Sequence, residues 1–210
     1  MMKENNEKYA NPYETYSDWE DGDIFESIKP KAANPAPLGL LGFGMATILL
    51  NLHNAGIIEL SVMIVAMGFA AGGLMQIIAG VFDMKQGNTF GGTAFIAYGC
   101  FWWSLIFIWF NPGEVVYEAD EMSMGYYLLL WGVFTLFMYV GTRKHTRATQ
   151  VVFLTLTILF FGLAAHNFLM IDVIGVIAGY IGIFCGASAI YNAMGQMLKV
   201  EYGREILKLG

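Results

Sequence analysis

Charged side chains are scarce in this sequence. Asp, Glu, Lys and Arg together make up 13% of its 210 residues, whereas ordinary globular proteins contain about 25%. Hydrophobic residues make up 57% of the chain. Such a composition leaves too little polar surface for a protein surrounded by water, so the solvent around most of the chain is expected to be lipid.

Cysteine and excess positive charge are also lacking. The two cysteines, Cys100 and Cys185, lie in apolar runs with no Cys or His at metal-ligand spacing, which argues against a disulfide framework and a zinc site. The formal net charge of −6 leaves no basic footprint for nucleic acid. Because the sequence contains neither a catalytic cluster nor a cofactor motif, we expect a protein that is not an enzyme and binds no metal or cofactor.

Ionisable side chains are missing from the middle of the apolar runs as well. Residues of this kind at membrane depth are the usual mark of proton relays and ion pumps. Asp83, at the end of the second run, is assigned to a loop. The sequence therefore predicts that no embedded carboxylate carries a proton, and that a coupled proton would travel on the solute itself.

What the sequence does contain is six apolar runs, each close to the length of about 20 residues that crosses a bilayer core. They cover residues 37–53, 57–82, 90–111, 124–141, 148–168 and 173–198. We predict an all-α integral membrane protein with six transmembrane helices in a domain at 33–200. An acidic, mostly disordered cytoplasmic tail at 1–32 precedes this domain, and a short cytoplasmic tail at 201–210 follows it.

Positive charge is distributed on one side of this six-span arrangement. All eleven basic residues fall there: Lys3, Lys8, Lys29, Lys31, Lys85, Arg143, Lys144, Arg147, Lys199, Arg204 and Lys208. The opposite connections carry acidic residues instead: Glu59, Glu114, Glu118, Asp120, Glu121 and Asp172. Because cytoplasmic loops carry the excess of Lys and Arg, both termini are expected in the cytoplasm, and the protein in the cell membrane.

Glycine pairs at four-residue spacing recur in the second and sixth spans. Small residues at this spacing let helix backbones approach closely in lipid. We expect them to pack helices within or between protomers rather than to touch a solute. The pairs are Gly68 with Gly72, Gly175 with Gly179, and Gly182 with Gly186.

The segment ANPAPLGLLGFG, residues 33–44, opens the first span with helix-starting residues. Asn34 can cap a helix, and Pro35 or Pro37 suits a first turn, where the missing N–H would stay unpaired anyway. Such an N-terminus carries about half a positive charge and free backbone donors. The pattern fits an anion site built without lysine, and equally a span that simply starts at proline. The candidate binding residues here are Asn34, Pro35, Ala36, Pro37, Leu38 and Gly39.

Neutral polar side chains also occur within the spans. A Thr or Ser in such a helix usually bonds to its own backbone, which is the simpler interpretation of Thr93. A primary amide has more groups to satisfy, so Gln76 and Asn192 are expected to face another helix or a wet pore. The candidate binding residues of this group are Gln76, Thr93, Tyr191 and Asn192.

Four separate blocks of the sequence resemble the acetate uptake transporter family, the succinate-acetate permeases. They are NPAPLGLLGFG (34–44), GNTFGGTAFIAYGCFW (87–102), LWGVFTLFMYVGT (130–142) and CGASAIYNAMG (185–195). The resemblance runs from about residue 33 to residue 205. It implies a six-helix protomer assembled as a hexameric ring, with a solute pathway through each protomer.

The resemblance also implies which residues narrow that pathway. A Phe, a Tyr and a Leu form an apolar constriction in the family, and by motif they match Phe43 in LLGFG, Tyr98 in FIAYG and Leu156 in FLTLTILF. A sixth-helix Ala that affects which acids pass matches Ala189 in GASAIY. An apolar ring holds back hydrated ions by dewetting, and the phenol of Tyr98 has one O–H to offer to a carboxylate.

The function implied by the resemblance is transport of acetate and of other short carboxylates such as succinate. It does not decide between a proton-linked symporter and an anion channel. From the residues alone, a passive aquaporin-like channel for small neutral solutes stays open as an alternative. The expected partners are a small carboxylate, a co-transported proton, the lipid bilayer and further copies of the chain, and no nucleic acid.

Overall fold

A computed structural model of the protein describes residues 32–110 and 119–210. The predicted acidic tail, apart from residue 32, lies outside these ranges, as do Glu114 and Glu118. Within them, six helices are long and apolar enough to cross a membrane, which confirms the predicted all-α class and span count. We number them α1 Ala36–Asn54, α2 Val62–Lys85, α3 Thr89–Phe110, α4 Glu121–Gly141, α5 Arg147–Leu169 and α6 Asp172–Tyr202.

The helices run up and down in a bundle. The most extensive contacts join α1 to α6, α4 to α5 and α5 to α6, and α2 packs on α3. Glycine makes the α1 and α6 contact close: a Cβ on Gly44 would lie 2.7 Å from the carbonyl oxygen of Gly186, and one on Gly186 equally close to that of Gly44. Gly179 and Gly182 also face α1. The glycine pairs of the sixth span therefore pack helices, as predicted.

Helix α2 is not a uniform α-helix. Residues Gly68–Met75 form a π-helical stretch, in which the hydrogen bonds span one residue more than in an α-helix. Glycine makes room for the indole rings of α3 there, since a Cβ on Gly72 would lie 2.6 Å from the ring of Trp102. Gly68 packs on the same ring. The stretch ends at Met75, so Gln76 is the first residue after it.

Side chains cap two of the helices. Asp120 accepts a hydrogen bond from the Ser123 N–H at the start of α4 (2.7 Å), and Thr146 accepts one from the Thr149 N–H at the start of α5 (3.3 Å). A short 3₁₀ turn, Thr142–Lys144, follows α4. The hydrogen bonds from Ser123 lower the pKa of Asp120 below its ordinary value, as expected for a carboxylate at a helix N-terminus.

The described basic residues lie at one end of the bundle, which we call the basic end. It comprises the N-termini of α1, α3 and α5 and the C-termini of α2, α4 and α6. Its basic residues are Lys85, Arg143, Lys144, Arg147, Lys199, Arg204 and Lys208. We call the other end the opposite end; its described acidic residues are Glu59, Asp120, Glu121 and Asp172.

The last residues fold back onto the basic end. Helix α6 continues to Tyr202, beyond the predicted end of its span, and Gly203 reverses the chain with φ at +65°. The Ala148 N–H donates to the carbonyl oxygen of Leu209 (2.9 Å), and the Tyr191 O–H donates to that of Lys208 (3.0 Å). Leu209 is only 8% exposed, so this part of the chain is packed against the bundle.

Candidate functional site

A cavity of about 550 Å³ lies at the basic end of the bundle. Lys144, His145 and Lys199 line it and are exposed, so it opens at that end. Its deepest wall is apolar. A second, much smaller cavity of about 30 Å³ is lined by apolar residues such as Leu50, together with Thr47 and Asn51.

Phe43, Tyr98 and Leu156 line both cavities. We call this set of three side chains the aromatic ring, after its two aromatic members, Phe43 and Tyr98. The three side chains come from α1, α3 and α5, and their exposed fractions are 6%, 4% and 3%. The structure thus brings together the three residues that sequence resemblance assigned to a constriction, and they form the wall between the large and the small cavity.

Tyr98 is held firmly within the aromatic ring. Its ring centroid lies 6.1 Å from that of Phe43, 5.5 Å from Phe134 and 6.2 Å from Phe153. Its O–H donates to Oγ1 of Thr135 (3.0 Å). In this structure the one proton of the phenol therefore has an acceptor, and only the lone pairs of its oxygen are left. A hydrogen bond from Tyr98 to a carboxylate would replace the one to Thr135.

The NPAP segment differs from its predicted geometry. Helix α1 begins at Ala36 with Pro35 as the cap residue, and Asn34 stands one position earlier. Oδ1 of Asn34 accepts the N–H of Ala36 (3.0 Å), and the N–H groups of Leu38 and Gly39 both bond to the carbonyl oxygen of Pro35. The prediction of free backbone donors at this helix start is wrong, because the N–H groups of the first turn bond to the side chain of Asn34 and to the carbonyl oxygen of Pro35.

Asn34 instead begins a chain of side-chain hydrogen bonds across the basic end. Its Nδ2 donates to Oε1 of Gln196 (2.9 Å), and Nε2 of Gln196 donates to Oδ1 of Asn192 (3.0 Å). Nδ2 of Asn192 then donates to Oγ1 of Thr149 (3.0 Å). Asn192 is fully buried, so this chain ties α1, α6 and α5 together, and three of its members, Asn34, Thr149 and Gln196, line the large cavity.

Gln76 is also fully buried, and it lines the large cavity. Its Nε2 donates to the carbonyl oxygen of Gly72 (2.6 Å), within the π-helical stretch. Its Oε1 has no hydrogen-bond partner in the described part of the chain. Buried polar atoms nearly always have a partner, so this unpaired oxygen is an exception among the described residues.

Asp83 is the feature that the sequence analysis missed. It lies in the last turns of α2 rather than in a loop, is 2% exposed and lines the large cavity. Its Oδ1 accepts from Nδ2 of Asn88 (3.0 Å), whereas Oδ2 has no partner among the described residues. The assignment of Asp83 to a loop is therefore wrong, because α2 continues to Lys85. The expectation that no ionisable residue lies deep within a span is not contradicted, since Asp83 lies at the end of its helix. The sequence signal that was overlooked is Gly91, where a Cβ would overlap Oδ2 of Asp83.

The remaining predicted residues do not line the cavities. Ala189 is fully buried in the helix packing, Thr93 is half-buried, and Tyr191 is 43% exposed. From residues 34–39 only Asn34 and Ala36 reach the large cavity; those that do not are Pro35, Pro37, Leu38 and Gly39. Across residues 32–110 and 119–210, no group of three or more His, Cys, Asp or Glu side chains is placed to hold a metal ion.

Comparison with known proteins places this arrangement in a family. The model of the GPR1/FUN34/yaaH family matches residues 20–203. The chain belongs to this family. The match begins at residue 20, earlier than the sequence resemblance, which was placed from about residue 33. The aromatic ring, the NPAP segment and all residues that line the large cavity except Leu209 lie within the matched residues.

Several relatives have names that describe transport. The succinate-acetate/proton symporter SatP of Escherichia coli (strain K12) is 53% identical over 86% of this chain and 96% of its own. Acetate permease A of Emericella nidulans is 34% identical over 81% of this chain and 64% of its own. Ammonia transport outward protein 2 of Saccharomyces cerevisiae is 37% identical over 78% of this chain and 61% of its own.

A solved structure resembles the whole bundle. It is described as the structure of the bacterial acetate channel SatP, and it matches with a TM-score of 0.84 at 52% identity. The match covers 86% of this chain and 100% of the other. At this level of identity the six-helix fold and the packing of its spans are shared.

Proposed function

We propose that the protein carries acetate, and other short carboxylates such as succinate, across a membrane through a pathway within each protomer. The observation that carries the proposal is the aromatic ring, which separates a large cavity from a small one in a chain of this family. Both cavities lie inside a single six-helix bundle. A solute that passed the aromatic ring would therefore travel between the two ends of one protomer.

The chemistry of the pathway suits a small carboxylate. At the mouth, Lys144 and Lys199 supply positive charge, which raises the local concentration of an anion. The aromatic ring is apolar and well packed, so a hydrated ion would have to lose water there. A solute with a carboxyl group at one end and a methyl group at the other meets polar and apolar contacts in turn. Residues that line the cavity near its mouth are the candidate binding groups, Asn34 among them.

Orientation and assembly follow the same reasoning. The basic end faces the cytoplasm in this proposal, because Lys and Arg are enriched on that side of membrane proteins. Both termini then lie in the cytoplasm of a cell whose plasma membrane holds the protein.

Lipid-facing or subunit-facing surface is plentiful, with Phe107, Leu130 and Phe137 each more than 70% exposed. We propose a homohexamer, in keeping with the family resemblance.

One observation favours a different solute class. The unused oxygen of Gln76 is a hydrogen-bond acceptor, and a neutral or cationic N–H donor would satisfy it as well as an acid O–H does. Among the relatives, one carries an ammonia transport name. A channel for small neutral solutes is therefore the second candidate.

Uptake into liposomes separates these candidates. Purified protein is reconstituted, and labelled acetate and labelled methylammonium are supplied outside, with protein-free liposomes to subtract passive diffusion of acetic acid. We expect protein-dependent acetate uptake that competes with unlabelled succinate. Accumulation that is driven by an inward pH gradient and collapsed by a protonophore would identify a symporter, and uptake indifferent to both a channel. Uptake of methylammonium without uptake of acetate would overturn the proposal in favour of the second candidate.

A further inference from the structure

Thr135 lies in α4 and is fully buried. Its O–H donates to the carbonyl oxygen of Trp131, one turn earlier in the same helix (2.7 Å), and its Oγ1 accepts the O–H of Tyr98 from α3 (3.0 Å). A hydroxyl group has one proton to donate. Since Thr135 gives this proton to its own helix, it presents only an acceptor to Tyr98, which fixes the direction of the hydrogen bond between the two side chains.

This is the one hydrogen bond that the phenol of Tyr98 makes within the described part of the chain. Its other close neighbours are aromatic rings, those of Phe43, Trp131, Phe134 and Phe153. Contacts between rings tolerate several offsets and tilts, whereas a hydrogen bond weakens steeply when its angle is poor. Thr135 therefore decides where the phenol oxygen points.

The bond is not needed merely to join α3 to α4. The two helices also meet through a hydrogen bond between the hydroxyl groups of Ser104 and Tyr127 (2.6 Å). The rings of Phe101 and Trp131 lie edge to face between the same helices, with their centroids 5.2 Å apart. Both contacts are made without Tyr98, so helix packing alone gives little reason for a buried acceptor at residue 135.

Thr135 has no direct access to the pathway. Tyr98 lines both the large and the small cavity, and Thr135 lines neither. An influence of Thr135 on a solute in the pathway would therefore act through Tyr98.

We infer that Thr135 is a positioning residue of the aromatic ring. It holds the phenol of Tyr98 between the two cavities, and so sets how well the ring distinguishes a small acid from a larger one. The inference deepens the proposed function and rests on it. Neither the family resemblance nor the names of the relatives assign a role to this threonine.

The physical reason is the cost of an unpaired hydroxyl group. While Tyr98 donates to Thr135, its ring stays packed in the wall beside Phe43, and the opening left for a solute is narrow. Without this acceptor, a buried O–H would have no partner, which is unfavourable. The phenol would then leave its place to reach another acceptor or water, and the opening would widen.

The test removes the acceptor and keeps the shape. Thr135→Val has nearly the volume of threonine and no hydroxyl group, and Thr135→Ser keeps the hydroxyl group. Thr157→Val is the matched control on α5. Thr157 is 5% exposed, lines neither cavity, and its O–H donates to the carbonyl oxygen of Phe153 in its own helix (2.7 Å).

The readout is the ratio of the initial uptake rates of labelled succinate and labelled acetate in liposomes, with thermal unfolding measured on the same preparations. Thr135→Val should raise this ratio about fivefold, the net worth of one hydrogen bond. Thr135→Ser and Thr157→Val should keep the ratio of the unmodified protein. A merely structural role of Thr135 would lower thermal stability and leave the ratio unchanged.

A double-variant cycle shows whether the effect passes through Tyr98. Tyr98→Phe removes the same hydrogen bond from the other side and leaves Thr135 bonded to Trp131, so it should raise the ratio as Thr135→Val does. Protein with both substitutions should show no further rise, because there is only one bond to lose.

Three results would overturn the inference: an unchanged ratio in Thr135→Val, effects of Thr135→Val and Tyr98→Phe that multiply in the double variant, or an equal rise in Thr157→Val. If Thr135→Val fails to assemble, Tyr98→Phe decides, since it must raise the ratio, and an unchanged ratio there also overturns the inference. Failure of the proposed function looks different, because then the unmodified protein would take up no acetate beyond protein-free liposomes.

Discussion

The two cavities on either side of the aromatic ring differ in size by more than tenfold, at about 550 and 30 Å³. The large one is lined by both polar and apolar side chains and opens at the basic end. The small one is enclosed mostly by Leu, Phe and Trp side chains. In this state the protein therefore admits a solute from the basic end as far as Tyr98, and the path beyond is closed by packed side chains.

The difference between the two cavities also separates the side chains that bind a solute from those that select which solute passes. Polar and charged groups that attract a carboxylate lie on the large side, where water is available. The groups on the small side are mostly apolar and close-packed, so they discriminate by size and by the cost of losing water. Changing the wall between the cavities should alter which solutes pass, and changing the polar groups should alter how tightly they bind.

The largest expected effect comes from opening the wall. Leu156→Ala removes a side chain that lines both cavities, and we expect succinate uptake to rise relative to acetate by about tenfold, since a few methylene groups in an apolar pocket are worth that much discrimination. The measurement is competition between the two labelled acids in liposomes.

Leu159→Ala is the matched control for that variant. Leu159 lies on the same helix, is 4% exposed and lines only the small cavity. Both substitutions should lower stability by about 2–5 kcal/mol, so a change in selectivity confined to Leu156→Ala identifies the wall. Equal selectivity in the two variants would mean that the aromatic ring does not decide which acid passes.

An intermediate effect is expected from the two buried amides, which the structure uses differently. Asn192 is hydrogen-bonded on both sides, to Thr149 and Gln196, whereas Gln76 lines the large cavity and its Oε1 has no partner among the described residues. Asn192→Leu should lower stability by about 1–3 kcal/mol, because its partners are left unpaired. Gln76→Leu should lower acetate uptake by up to about tenfold, the worth of one hydrogen bond to a solute.

The check is thermal unfolding in detergent beside uptake in liposomes for both variants. We expect opposite patterns in the two variants. Asn192→Leu should lose stability more than uptake, and Gln76→Leu should lose uptake more than stability. If Gln76→Leu transports acetate like the unmodified protein, the unused oxygen does not meet the solute.

The smallest effect is expected from Asn34→Ala. Its Oδ1 accepts the first N–H of α1 and its Nδ2 donates to Gln196, so the variant should lose about 0.5–2 kcal/mol of stability, as for other helix caps. Because the first-turn N–H groups are already paired, acetate affinity should change only through loosening of α1. Thermal unfolding and the concentration dependence of uptake measure the two effects. Abolished acetate binding in a stable Asn34→Ala protein would show that Asn34 holds the solute directly.

The sequence predicted the spans well because lipid imposes a simple rule. Each helix must be long and apolar, and the one-sided Lys and Arg residues fix how the spans alternate. Glycine spacing likewise predicted close helix packing in the sixth span, but not that α1 is the partner helix. The three residues of the aromatic ring could be named only through resemblance, because nothing in the spacing of Phe43, Tyr98 and Leu156 indicates that they meet across three helices.

The polar groups were harder to predict, because their partners are distant in sequence. Asp83 lies next to Lys85 and a glycine-containing turn, which is typical of a loop, yet α2 continues and buries it against Gly91. The O–H of Tyr98 was expected to have a hydrogen bond to offer to a carboxylate, and in the structure it donates to Thr135 of α4. Asn34 was expected to cap α1 at an anion site; its Oδ1 does accept the first N–H of α1, and its amide N–H donates to Gln196. In each case tertiary contacts decide which donor or acceptor is left over.

The most direct test of the account asks whether acetate passes the aromatic ring. Leu156→Cys is made in a Cys100→Ser background, so that the exposed native thiol is removed while the buried Cys185 is kept. Leu154→Cys, at a 40% exposed position of the same helix, is the control. After treatment with a small thiol reagent, with labelling confirmed by mass spectrometry, acetate uptake should be lost in Leu156→Cys and retained in Leu154→Cys. Full uptake by labelled Leu156→Cys protein would contradict a pathway through this ring.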